Sequence, residues 1–265
     1  MLNTWAAYMT AIGHSPSTIR LHIQTVQAAA NGADPTQVTR EDAIRYLARP
    51  LAGWSRLTYW RVLKAWSRFL IEFDHRTDDF LQGIPRPRKP EPIARPVTDD
   101  TVQLLLAAPL PPRAHTYVRL ALFQGLRVHE IAKIRGDDFD LTAGWLLVSG
   151  KGHTSHIPIH GEIAALAPQM PTSGFWFPSF IPGQPVNPKA VTATIGTALR
   201  SVGSTATAHQ LRDTCATRIQ RQVRDIRVTQ QLLRHRSIKS TMKYTQVADS
   251  DMQAAMLALN WAAPT

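Results

Sequence analysis

The chain holds one cysteine, Cys215, in 265 residues. A disulfide framework within the chain is therefore excluded, and a reducing compartment fits. Cys215 sits in the run Asp213-Thr214-Cys215-Ala216-Thr217 and reads as a small buried core residue. No stretch approaches the roughly eighteen apolar residues of a membrane-spanning helix. The start, Met1-Leu2-Asn3-Thr4-Trp5, lacks the basic opening and apolar core of a secretory signal. A cytoplasmic protein with no membrane partner is expected. Internal repeats and low-complexity tracts are missing too, and no obvious cluster of carboxylates suggests a metal site. Acidic residues are scarce, 19 against 30 basic ones, for a formal charge of +11.

Such an excess of positive charge says little about fold and much about partners, of which nucleic acid is the commonest. The basic residues are mostly arginine, whose planar fork grips phosphate oxygens in pairs. GC-rich coding would produce the same bias, and it also fits the abundant alanine. Apolar content, 44%, is ordinary for a globular chain with room for one large or two modest domains.

Residues 1–84 read as a helical domain. Ser15 followed by Pro16 is a helix start, and Ile19, Ile23 and Val26 recur at helical spacing. Thr39 can cap a second helix, with Glu41 and Asp42 in its first turn. A third begins near Ser55, with Trp60, Leu63, Trp66, Leu70 and Phe73 as its core stripe. Arg56, Arg61, Lys64 and Arg68 lie on its other faces, for DNA or for solvent. Residues 85–96 are rich in proline and read as an extended linker. Residues 97–265 form the second domain. It opens with helices over about 99–107 and 114–123, followed by a short one over 127–135 that stops at Gly136. Trp145-Leu146-Leu147-Val148 and His156-Ile157-Pro158-Ile159 form a hairpin around Gly150-Lys151-Gly152, and Pro158 marks an edge strand. Beyond a loop over 171–188 the chain reads as helical to its end. The fold class is mostly α with a small antiparallel β-sheet.

Seven residues of this second domain make a set suited to a phosphodiester. Arg127, Glu130 and Lys151 come first. His209-Gln210-Leu211-Arg212 is next, then His235 and Tyr244. Guanidinium groups hold an anion and the charge that grows on it. Histidines and a lysine carry protons, and a phenol can attack once it loses its proton. Singly, each has a plain structural reading: Glu130 as a helix partner of Lys133, Lys151 as a turn residue.

In order and spacing the set resembles the tyrosine recombinase (phage integrase) family. Gly125-Leu126-Arg127-Val128-His129-Glu130-Ile131 matches its first motif, and His209 and Arg212 match its His-x-x-Arg motif. Thr214 to Thr217 continue that motif, and Tyr244 falls on the nucleophile. Members often carry histidine where this chain has Asp213, and glycine where it has Arg234. The resemblance implies a DNA-clamping, site-specific recombinase. Residues 1–84 would be its core-binding domain and 97–265 its catalytic domain. Arg127 and Arg212 would bind the phosphate, His209 would act as base, and Lys151 would protonate the leaving 5′ oxygen. His235 would donate to the phosphate, Glu130 would orient its neighbours, and Tyr244 would form a 3′-phosphotyrosyl bond. No cofactor or metal is implied. Implied partners are double-stranded DNA, three further copies in a homotetramer on two duplexes, and an accessory directionality or host DNA-bending protein. The implied location is a bacterial host's cytoplasm, at the nucleoid. The tail 246–265 offers a stripe of Met252, Met256, Leu259 and Trp261 for a neighbouring subunit or its own domain. With no room for an arm-type DNA-binding module, the chain reads as a small phage integrase. The alternatives are a Xer-like chromosome-dimer resolvase, a topoisomerase, or an inactive DNA-binding relative.

Overall fold

The computed structural model describes residues 1–150, 153–235 and 237–245. The chain divides into two compact units, Met1–Glu91 and the remainder from Pro92. Among the described residues, no helix is long and apolar enough to cross a membrane.

The first unit is built from α1 (Leu2–Ala11), α2 (Pro16–Ala30), α3 (Arg40–Ala48) and α4 (Gly53–Glu72). Ser15 caps α2, its side chain accepting from the Thr18 amide at 3.3 Å. Thr39 and Asp42 close a reciprocal capping box on α3, which satisfies two otherwise orphaned amides. The core gathers Trp5, Val26, Leu63, Trp66, Phe69 and Leu70. Trp66 is its centre: it is fully buried, its indole donates to Pro35 O at 2.9 Å, and its ring lies 4.8 Å from that of Trp5. Phe73 departs from the expected stripe. It lies just past the last turn of α4 and is 44% exposed, with its ring against those of Tyr8 and Phe69. The basic residues of α4 are largely spoken for. Arg56 donates to the carbonyl of Leu47, Lys64 pairs with Asp79, and Arg68 pairs with Glu72, while Arg61 is exposed.

The second unit runs α5 (Asp99–Ala107), α6 (Pro112–Leu122), α7 (Val128–Lys133), β1 (Phe139–Asp140), β2 (Trp145–Gly150), β3 (His153–Pro158), α8 (Gly161–Leu166), α9 (Pro188–Ser201), α10 (Ala208–Val223) and α11 (Ile226–Leu232). The strands form one antiparallel sheet in the order β1-β2-β3. The expected hairpin is present, with Trp145 opposite Pro158 and Leu146 opposite Ile157, and β3 is an edge strand. Strand β1, only two residues long, is too short for a periodic signal. The expectation of helix to the end of the chain is corrected. After α11 the backbone turns left-handed at Arg234 and continues into a pair of short 3-10 turns, Ile238–Ser240 and Met242–Tyr244. A left-handed residue cannot continue a right-handed helix. Helix α10 organises the unit: its Thr214 hydroxyl accepts from the amide of Val97 at 2.8 Å and so anchors the unit's first residues.

Replacing Trp66 by alanine removes a fully buried indole and its hydrogen bond, and should cost about 3–5 kcal/mol. Chemical denaturation of the full chain, tracked by near-UV circular dichroism, should show the first unit's transition at lower denaturant. An unmoved transition would contradict the central place given to Trp66.

Candidate active site

Five of the expected residues meet around α10, α7 and the last 3-10 turn, and His235 joins them from the turn after α11. Arg127 is the N-cap of α7. Glu130, three positions on, reaches back, so that its Oε2 accepts from the Arg127 amide and its Oε1 from the Arg127 guanidinium, each at 2.8 Å. The spacing is that of a capping box. It explains locally why a carboxylate must stand three residues after this arginine.

Glu130 does more than cap. Its side chain is buried, Arg234 pairs with its Oε2 at 2.7 Å, and Arg212 lies 3.7 Å from the same oxygen. Burial pushes the Glu130 carboxyl up, but Arg234, the Arg127 amide and Arg212 together hold it below the usual carboxylate range. Arg212 is 1% exposed, and two of its N–H groups donate to backbone carbonyls, one to Gly125 O and one to Leu233 O. Burial and then repulsion from Arg127 lower it to about 10. Gly125 is required here for its backbone. Its φ is +60°, and a Cβ would stand 3.1 Å from Cys215 Sγ and 3.3 Å from Leu233. Cys215 is the inert core residue expected, its thiol pushed up to about 11 by burial.

Arg234 stands where family members often carry glycine, and it keeps the left-handed backbone with φ 54°. Such a conformation costs a residue with a Cβ about 1–2 kcal/mol. The buried pair with Glu130 and a bond to Leu232 O at 2.9 Å offset it.

His235 is held through Nδ1, which is 2.9 Å from the hydroxyl of the buried Thr241. Burial, then the nearby Arg212 and Arg127, depress its pKa to about 3, so the ring is neutral near pH 7. Its ring stacks on that of Tyr244, with centroids 6.2 Å apart. Beside it a cavity of about 490 Å³ opens between β3 and α11, lined by Ser155, Arg227, Gln230 and Arg234 among others.

Tyr244 is buried against Ala216 and Leu233. Its hydroxyl donates to Asp213 Oδ1 at 2.6 Å. Lys243 donates to the same oxygen at 2.8 Å, and His209 Nε2 lies 3.7 Å from it. Burial and then the Asp213 carboxylate raise the Tyr244 phenol well above its ordinary value. Burial pushes Asp213 up, yet the bonds from Lys243 and Tyr244 outweigh it and keep the carboxyl below its usual range.

Arg127, Glu130, His209, Arg212, His235 and Tyr244 are therefore gathered in one place, while Lys151 lies outside the described residues, as does the stripe from Met252 to Trp261. Three participants escaped the sequence reading: Asp213, Arg234 and Lys243. For Asp213 a signal was present, since it comes one helical turn after His209 and adjoins Arg212. Arg234 stood out as an unusual neighbour of His235, but its partner Glu130 is 104 positions away and left no local trace. Among the described residues, no group of histidine, cysteine, aspartate and glutamate side chains is arranged to hold a metal.

The phage integrase family model matches residues 97–251. The tyrosine recombinase XerA of Pyrococcus furiosus is 27% identical, over 97% of this chain and 92% of its own length. Among solved structures, the integrase of mycobacterium phage Brujita is 34% identical over all of this chain and 94% of its own, with a TM-score of 0.53. A lambda integrase dimer bound to a COC′ core site shares the fold, with a TM-score of 0.74, 18% identity, all of this chain and 79% of the other covered.

Glu130→Gln would leave the buried Arg212 and Arg234 without their counter-charge and should cost about 3–5 kcal/mol at neutral pH. Because its folded pKa is depressed, the Glu130 contribution is complete above the unfolded value and lost as pH falls through the folded one. Equilibrium unfolding between pH 7 and 3 should therefore show a stability difference between wild type and E130Q that shrinks toward acid. A difference independent of pH would argue against the charge pairing.

Proposed function

The chain belongs to the phage integrase family, and on that premise we propose that it is a site-specific DNA recombinase that cuts and rejoins DNA through Tyr244, integrating or excising a mobile element. The observation that carries this is the burial of the Tyr244 hydroxyl in the same cluster as Arg127, Arg212, His209 and His235. A phosphodiester repels nucleophiles by its negative charge. Arg127 and Arg212 bind its non-bridging oxygens and stabilise the charge that grows as the phenol attacks. In this reading the Thr241 hydroxyl donates to Nδ1 of the neutral His235 ring, which leaves the ring's hydrogen on Nε2 for donation to the phosphate. His209 serves proton transfer on the nucleophile's side, and Lys151 protonates the leaving 5′ oxygen. Glu130 orients Arg127 and keeps the arginines together. Attack yields a 3′-phosphotyrosyl bond and a free 5′ hydroxyl, and the stored ester energy allows rejoining without ATP.

In this reading residues 1–84 bind the core DNA sequence, 85–96 link the domains, and 97–265 perform the chemistry. Four copies act on two duplexes, and the tail over 246–265 joins neighbours. Affinity is mostly electrostatic, as the charge of +11 suggests, and falls steeply with salt. An accessory directionality or DNA-bending protein belongs to the same proposal. A Xer-like resolvase is the second reading, favoured by the near full-length likeness to XerA. The higher identity to a phage integrase over the whole chain favours the first.

Covalent trapping tests the reading. Wild type and Tyr244→Phe would be incubated with nicked fragments of the source element and of host DNA, then denatured in SDS. We expect a wild-type adduct at one sequence and none with Y244F. A mapped junction at the element's end supports the integrase, and one confined to a host chromosomal site the resolvase. Tight, salt-sensitive binding without any adduct would overturn the strand-transfer reading.

A further inference from the structure

A phenol must lose its proton as its oxygen bonds to phosphorus, and the resting structure offers an acceptor other than the histidine of the family pattern. We propose that Asp213 is the general base for Tyr244. This rests on the strand-transfer reading of the same site and assigns a role that its motif residues leave open.

The geometry favours a carboxylate. The Tyr244 hydroxyl donates to Asp213 Oδ1 at 2.6 Å, within the reach of direct proton transfer. Asp213 is 3% exposed, so water does not compete for that oxygen. Lys243 donates to the same oxygen at 2.8 Å and keeps the carboxyl ionised and able to accept. His209 Nε2 lies 3.7 Å from the same oxygen. Asp213 and Arg212 are consecutive on α10, so one rigid helix sets both the base and a phosphate-binding group. The charged and titratable groups around the pair are His209 and Arg212 from α10, Lys243 beside Tyr244, Arg127 from the start of α7, and His235 from the turn after α11.

A carboxylate is a weak base toward a free phenol, and that is no obstacle. The phenolic oxygen loses its basicity as it becomes an ester oxygen, so its proton grows acidic along the reaction. In the forward step the Oη–P bond forms, the proton passes from Oη to Oδ1, and the P–O5′ bond breaks. The 5′ oxygen takes one proton from the site's acid or from water. In rejoining, a 5′ hydroxyl attacks, gives up its proton by the reverse path, and Asp213 returns its proton to Tyr244. No electron is exchanged and no proton is consumed over the cycle.

The test is single-turnover cleavage of a nicked duplex carrying the sequence recovered by trapping. A wild-type adduct on that duplex is the control that separates failure of the strand-transfer reading from failure of this proposal. Asp213→Asn keeps the shape and removes the base. It should bind the duplex as wild type does and cleave about 100-fold more slowly or worse. Placing a difluorotyrosine of lower phenol pKa at position 244 should restore D213N about tenfold or more, because an acidic nucleophile needs its base less. Should D213N fail to bind DNA, Asp213→Ser takes its place, with formate supplied as a diffusible carboxylate that should raise its rate. Cleavage by D213N near the wild-type rate, or faster, would overturn the proposal and make the contact incidental or a restraint. A slow D213N unmoved by fluorination, or a D213S indifferent to formate, would reduce Asp213 to structural support.

Discussion

The carboxylate of Glu130 is what allows three arginines to share one interior. Arg127, Arg212 and Arg234 all reach it, and two of them are as deeply buried as the carboxylate itself. Burying a guanidinium alone is expensive, and burying several beside one another is worse. One carboxylate reduces that cost without cancelling the charge, so a positive field remains. Its reach can be read in the neighbours: it helps to lower Arg212 to about 10 and His235 to about 3. Three guanidinium groups against one carboxylate leave the cluster positive, which is the field a phosphodiester would meet in the proposed reaction.

This arrangement imposes two further constraints. Arg212 can be held so deeply only because backbone carbonyls of Gly125 and Leu233 accept its N–H groups. Those carbonyls are presented by a left-handed glycine on one side and by the turn entering left-handed Arg234 on the other. Where a glycine would make the second turn without strain, this chain has an arginine and recovers the cost through its pair with Glu130. The departure from the family pattern thus leaves the backbone path intact and adds a cation to the cluster.

The sequence was most legible where the physics is local. The caps at Ser15 and Thr39, the α2 and α4 stripes up to Leu70, and the hairpin over 145–158 all depend on residues near one another in the chain. The fold class and six of the seven expected site residues are found together for the same reason, since their motifs are short and ordered. What was not legible depends on distance or on chain ends. Phe73 carries the right spacing but lies past the last turn of its helix. The final segment has helical composition, yet left-handed Arg234 and caps such as Ser237 break it into short turns. The links from Arg234 to Glu130 and from Tyr244 to Asp213 span 104 and 31 positions, and no periodicity announces them.

The same electrostatics bear on when the nucleophile becomes reactive. In the free protein burial and Asp213 already hold the Tyr244 phenol protonated, although Arg212 and Arg127 pull the other way. A bound phosphodiester would neutralise part of that arginine field and bring its own negative charge toward the phenol. Both changes disfavour a free phenolate, so a mechanism that ionises Tyr244 before attack grows harder as the substrate arrives. A mechanism that moves the proton within the attack escapes this conflict, because no full charge ever rests on Oη. The buried, lysine-held carboxylate in contact with that hydroxyl is the arrangement such a step requires. It would also protect the resting enzyme, since the tyrosine stays neutral until a phosphate is close enough to take its oxygen.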